Sequence, residues 1–142
     1  MLIQFFVPGI PAPGGSKKGF YIKSINRVVI APANKNTKPW MATVSVFAKE
    51  AYLGELLQGA LKLYLSFHIL RPKGHYNKKG LRKSTNLYPI VKPDLTKLER
   101  STEDALVGII MSDDSQIVKK ETEKVYVDRY PGVMVGLEKI LN

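Results

Sequence analysis

Residues 60–70 alternate in character: Leu61, Leu63, Leu65, Phe67 and Ile69 fall on one side, Lys62, Tyr64, Ser66 and His68 on the other. Only an extended strand sends successive side chains to opposite faces, so this segment predicts a strand with one face buried and one wet. A half-buried strand needs neighbours beside it and an apolar layer over its inner face. The chain offers both. Leu2–Val7 reads as a buried strand ended by Pro8-Gly9, and Phe20–Lys23 and Arg27–Ile30 read as a hairpin around Ser24-Ile25-Asn26. Ile117-Val118 and Val125–Val127 predict another strand, or a pair, with a charged middle. Gly132–Leu141 predicts a last strand, with Val133, Val135 and Leu137 set against Met134 and Ile140, and Gly136 leaves its register open.

Two segments carry helical spacing. Asn36 or Thr37 can cap the first, Pro39 suits its first turn, Trp40, Val44, Phe47 and Ala51 make its apolar stripe, and Gly54 is placed to end it. The second runs from about Leu95 to Ile109, with Asp94 at the N-cap position and Leu95, Leu98, Thr102, Ala105, Leu106 and Ile109 facing inward. Thr96, Arg100, Glu103 and Val107 share a neighbouring face. The expected fold is α+β: a mostly antiparallel β-sheet with two principal helices packed on one face, in a single domain over residues 1–142.

Two stretches resist regular structure. Pro11-Ala12-Pro13-Gly14-Gly15-Ser16-Lys17-Lys18-Gly19 reads as a basic loop. Residues 71–92 form a longer one, with Lys73, Lys78, Lys79, Arg82 and Lys83 among glycines and a proline. Loops this long in a small domain usually carry function.

The charges are partitioned. Residues 1–93 hold 15 Lys and Arg but only two acids, Glu50 and Glu55, whereas residues 94–142 hold 7 Lys and Arg and 10 acids. The formal net charge of +10 favours a polyanionic partner such as nucleic acid. The absence of cysteine excludes disulfides, thiolate zinc sites and cysteine nucleophiles. His68 and His75 lack the spacing of a zinc pair, and no phosphate-binding Gly-Lys-Thr or dinucleotide pattern is present. No apolar run reaches the roughly 18–20 residues of a membrane span, so the chain is expected to be soluble and cytoplasmic, with no membrane partner.

Within this basic background, Asp94 precedes the second helix and Ser112-Asp113-Asp114-Ser115-Gln116 follows it. Carboxylates grouped on a basic surface suit divalent metal at a phosphodiester, where metal neutralises charge and activates water. If the chain folds back after the helix, Asp113 and Asp114 return toward Asp94. The competing reading is purely structural: Asp94 as a helix cap and Asp113-Asp114 as a turn.

Lys92-Pro93-Asp94-Leu95 with Leu98, then Asp104-Ala105-Leu106, then Asp113-Asp114-Ser115-Gln116-Ile117 resemble the motifs of the RusA family of Holliday junction resolvases, small endonucleases of phages and prophages. Pro8-Gly9-Ile10-Pro11-Ala12-Pro13 is similar to the family's opening. The resemblance implies a homodimer that binds four-way or branched DNA and makes paired nicks with Mg²⁺, or with Mn²⁺ in its place. It assigns Asp94 as the first family carboxylate, Asp113 and Asp114 as the late acidic pair, and Arg100 as the basic residue of the helix. Lys17, Lys18, Lys73, Lys78, Lys79, Arg82 and Lys83 become the expected contacts to DNA backbone.

One departure stands out. The family's second carboxylate, two residues after the first, is Thr96 here. Glu103, seven residues on and along the same face, is the candidate replacement, giving an expected metal set of Asp94, Asp113, Asp114 and Glu103. The alternative for Glu103 is a surface pairing with Arg100 or Lys97. At the level of function, the alternatives are a non-catalytic DNA-binding protein with a degenerate site, and a flap or single-strand nuclease.

Overall fold

The computed structural model describes residues 1–15, 17–32 and 34–141, with the side chains of Lys17, Lys18 and Pro32 outside that description. The expected DNA contacts of Lys17 and Lys18 therefore lie outside the described residues. The strands are β1 (Leu2–Pro8), β2 (Lys17–Ile22), β3 (Arg27–Pro32), β4 (Leu61–Leu70), β5 (Tyr76–Asn77), β6 (Gly80–Leu81), β7 (Ile117–Val127) and β8 (Gly132–Lys139). The helices are α1 (Thr37–Ala51) and α2 (Leu95–Leu106).

The main sheet has the order β1-β8-β4-β7. β8 pairs antiparallel with both β1 and β4, and β7 pairs parallel with β4 at the edge. The α+β expectation holds. On β4 the alternation sorts as expected: Leu61, Leu63, Leu65 and Phe67 are buried beneath the helices. Val133, Val135 and Leu137 of β8 and Ile3 and Val7 of β1 continue that layer, which Trp40, Val44, Ala48, Leu98, Ala105 and Leu106 cover. The opposite face is polar: Tyr64 donates to Glu138 (2.8 Å), Ser66 to Glu123 (2.7 Å), and Lys62 pairs with Glu121 at 3.1 Å. Gly136 sits opposite Tyr64, and its hydrogen leaves room for that side chain, since a Cβ there would lie 3.3 Å from Tyr64 Cβ.

Several element boundaries differ from the sequence expectation, each for a local reason. α1 stops at Ala51 because Tyr52 turns extended and lies over Gly54, with its hydroxyl donating to the Glu55 carbonyl. Its buried stripe runs through Thr37, Trp40, Val44 and Ala48, so Ala48 takes the place expected of Ala51. Neither Asn36 nor Thr37 caps it through a side chain; Thr37 instead donates to the Pro13 carbonyl at 2.6 Å. α2 ends at Leu106, short of Ile109, because Val107 is extended and Gly108 has a φ of 84°, a left-handed geometry that glycine adopts without strain. The two runs flanking a charged middle are one strand, β7: its charges are tolerated because the edge is open to water on one side and faces α2 on the other.

The basic segment after β4 is built on specific anchors. The Arg71 guanidinium lies 4.4 Å from the Tyr126 ring centre, and its Nη1 donates to the Asn86 carbonyl at 3.0 Å. Tyr76 donates to Asp128, and Arg82 Nε donates to the Gly74 carbonyl at 3.1 Å. Lys73, Lys78, Lys79, Arg82 and Lys83 remain exposed.

Candidate active site

The site is organised by α2. Its inner face is fixed on three sides. Leu98 and Leu106 are fully buried in the core. Ser101 Oγ donates to the Ala12 carbonyl at 2.6 Å. The Trp40 indole donates to Thr102 Oγ1 at 3.3 Å. The loop after β1 lies directly on the helix: Gly14 N–H donates to the Lys97 carbonyl at 2.8 Å. The outer face looks toward β7, and the helix runs antiparallel to that strand. Lys124 Nζ donates to the Pro93 carbonyl at 3.0 Å, Thr122 Oγ1 to Glu99 Oε1 at 2.6 Å, and Lys120 Nζ meets Glu103 Oε1 at 2.5 Å.

This arrangement settles where the sequence candidates stand. Asp94 occupies the N-cap position with extended backbone, but its side chain makes no capping hydrogen bond, and its nearest ionic partner is Lys97 at 4.0 Å. It lines a shallow pocket with Gly14, Gly15, Thr96, Lys97 and Arg100. Arg100 crosses close above Gly15, where a Cβ would fall 2.6 Å from Arg100 Cδ. Glu103 is nine residues beyond Asp94, roughly 13 Å along the helix axis at 1.5 Å per residue.

Glu103 is not a surface residue. It is only 8% exposed, and it pairs with Lys120, not with Arg100 or Lys97. Burial pushes its carboxyl above the ordinary range, the Lys120 ammonium pulls it back, and the negative charges of Glu99 and Asp114 add to the rise. The Lys120 ammonium is the close partner of Glu103 Oε1. Asp113 accepts from Ser115 N–H at 2.8 Å, and Gln116 Oε1 accepts from Asp113 N–H at 3.1 Å, a reciprocal cap on the 3₁₀ turn Asp114–Gln116. The bonds from Ser115, its backbone N–H foremost, hold the Asp113 carboxyl below its usual range. Gln116 Nε2 then donates to the carbonyls of Leu57 and Gly59, tying the turn to the segment before β4. Asp114 is left exposed beside Asp104, Val107 and Asp113.

Glu103 therefore feels the charge of Asp114, while Asp94 stands at the start of α2 and Arg100, in the middle of the helix, lines the Asp94 pocket. The structure adds three residues that the sequence reading passed over: Glu99, Lys120 and Thr122. Their signal was present as the four-residue spacing of Glu99 and Glu103 and the every-other-residue spacing of Lys120, Thr122 and Lys124. Among the described residues, no three His, Asp or Glu side chains are already gathered around one point as metal ligands. The buried carboxylate oxygen, Glu103 Oε1, already has the Lys120 ammonium against it.

The molecule is an α+β domain with carboxylates on the helix that runs along its edge strand, on a basic chain. A family model described as "Endodeoxyribonuclease RusA" matches residues 12–138, and the chain belongs to that family, the RusA Holliday junction resolvases. The chain is also similar to "Uncharacterized protein YqaN" of Bacillus subtilis (strain 168), 26% identical over 141 residues that cover 97% of this chain and 96% of that one. Membership assigns endodeoxyribonuclease activity on branched DNA. Among the described residues, no helix is long and apolar enough to cross a membrane.

Proposed function

We propose that this chain is a Mg²⁺-dependent endodeoxyribonuclease that, as a homodimer, resolves four-way DNA junctions by paired nicks. The observation that carries the reading is the buried Glu103 carboxylate, paired with Lys120, on a family fold that has Thr96 at its usual second carboxylate position. Glu103 and Asp114 would hold the metal. Asp94 supports the site from the start of α2, and Asp113 fixes the turn that presents Asp114. Divalent metal, when bound, supplies positive charge at the scissile phosphate and lowers the pKa of water there. Arg100, exposed above the Asp94 pocket, is placed to receive a neighbouring phosphate. Lys73, Lys78, Lys79, Arg82 and Lys83 supply backbone affinity, and the anchoring of their loop by Arg71 and Tyr76 limits the ordering cost of binding.

The test is cleavage of an immobile four-way junction with and without Mg²⁺ or Mn²⁺, using wild type, Asp114→Asn and Glu103→Gln. Metal-dependent paired nicks lost in both variants support the reading. Activity retained by Glu103→Gln removes Glu103 from the site.

A second reading has one observation in its favour. Thr96 lies in the same pocket as Asp94 with no other acid lining it, as expected of a degenerate site. On that reading the protein binds junctions without cutting them, and Thr96→Asp creates cleavage where wild type shows none.

A further inference from the structure

We propose that the β2–β3 hairpin is a junction-binding element: its outer apolar face packs against the base faces that open at the branch point of four-way DNA. This inference rests on the junction reading above and names the part of the chain that meets the branch.

The first support is exposure. Every residue from Gly19 to Ile30 is exposed, although seven of these twelve are Phe, Tyr, Ile or Val. A two-stranded hairpin is marginal by itself in water, and an uncovered apolar patch marks an interaction surface. The register sets Tyr21 opposite Val28 and Gly19 opposite Ile30, so Tyr21, Val28 and Ile30 share one face. They are 62%, 66% and 70% exposed, against 43%, 37% and 39% for Phe20, Ile22 and Val29 on the other. The first face is therefore the barer one. Gly19 keeps it flat, since a Cβ there would lie 3.2 Å from Val28 Cγ1. The Tyr21 hydroxyl donates to Asn26 Oδ1 at 2.6 Å, which ties the ring to the turn.

The second support is charge. Residues 17–38 hold six Lys and Arg and no Asp or Glu. Lys23 and Arg27 are exposed at the turn end of the hairpin. A second copy of the same ribbon would set like charges together, whereas a polyanion complements them. Cations around a flat apolar face with an aromatic ring suit DNA with open bases, because phosphates meet the cations and bases stack on the face. A continuous duplex offers the phosphates but keeps its base faces covered.

The third support is placement. Gly15, two residues before β2, and Asn34, two residues after β3, line pockets that Asp94 and Lys97 also line. Both ends of the hairpin therefore stand at the candidate site. Its six-residue strands carry the turn roughly 20 Å from those ends at about 3.3 Å per residue. DNA with a phosphate at the site has neighbouring bases within reach of the hairpin.

The experiment compares binding of an immobile four-way junction and of a linear duplex of matching arm sequence, by gel shift in EDTA so that metal plays no part. The proteins are wild type, Tyr21→Phe, a triple variant (Tyr21→Thr, Val28→Thr, Ile30→Thr) and a double variant of the other face (Ile22→Thr, Val29→Thr). Threonine keeps the β-branched preference for strand. Circular dichroism melts should be unchanged, because the hairpin contributes no residue to the buried core. The triple variant should bind the junction about ten-fold more weakly and the duplex within about two-fold of wild type, since stacking is lost while phosphate contacts stay. Tyr21→Phe, which keeps the ring, and the double variant should both bind the junction within about two-fold of wild type. An equal loss on both DNAs, no loss on the junction, or a loss as large in the double variant overturns the proposal. So does a wild-type dimer that the triple variant converts to monomer in analytical ultracentrifugation, which would give the face to a second copy of this chain. Junction cleavage by wild type with Mg²⁺ separates the two levels. Wild type that cuts the junction while the triple variant keeps full junction affinity refutes only the role of the hairpin. Wild type that neither cuts the junction nor prefers it to duplex refutes both.

Discussion

Gly14 lies against Ser101 so closely that a Cβ on Gly14 would be 2.9 Å from Ser101 Cβ and 3.1 Å from its backbone nitrogen. The contact joins the loop after β1 to the middle of α2, beside the Ser101–Ala12 hydrogen bond. Gly14→Ala should therefore force loop and helix apart, because the neighbouring atoms belong to backbone and a short side chain that cannot swing away. The expected loss is about 1–3 kcal/mol, the usual range for overpacking, measured by urea unfolding. An unchanged midpoint would show that the loop relaxes freely off the helix.

Glu103 makes a prediction about pH. Its folded carboxyl is raised above the ordinary value of 4.5, mainly by burial. A raised carboxyl contributes stability that is full below the unfolded value and is lost as pH rises through the folded one. At neutral pH the fold therefore carries an ionised Glu103 at a cost. Glu103→Gln should be at least as stable as wild type near pH 7, by up to about 1 kcal/mol, the Lys120 ion pair keeping the gain small. The gap should close as pH falls through the raised folded value toward 4.5, as wild type takes up a proton. Urea unfolding at several pH values checks this, and cleavage by the same variant should fall by roughly 100-fold or more. Stability gained as activity is lost is the mark of a functional site.

Asp113 can be separated from Asp114 by choice of substitution. Its carboxylate accepts from Ser115 N–H, a task asparagine also performs. Asp113→Asn should keep most junction cleavage, while Asp113→Ala should lower it roughly ten- to hundred-fold by loosening the turn that presents Asp114. Equal loss in both variants would make Asp113 a metal ligand as well. Because its carboxyl is depressed, the turn's stabilisation is present above the unfolded value of 3.8 and disappears as pH falls through the lower folded one.

Lys78 and Lys79 are exposed on an anchored loop. Replacing both with alanine should weaken junction binding and flatten its dependence on salt, the logarithmic slope falling by about 1.8 if each holds one phosphate. Gel-shift titrations across a salt series measure that slope. A weaker affinity at constant slope would place these lysines away from the backbone.

The sequence by itself determined the parts of this protein that local periodicity controls. Leu61 to Phe67 had to form a strand with one buried face, and Leu98, Ala105 and Leu106 had to turn one side of α2 inward. The order of the motifs around Asp94, Asp104 and Asp113-Asp114 was enough to indicate the RusA family. The run of charges in Ile117–Val127 was less legible, because alternation on an edge strand reflects which neighbour each side chain meets and not simple burial. Only the tertiary structure decided that α2 runs antiparallel to β7. That packing places Glu103 against Lys120 and Glu99 against Thr122, while Asp94 stands at the start of the helix. Side chains 17 or 23 residues apart meet because two separate apolar layers close on each other, and no spacing along the chain encodes that contact.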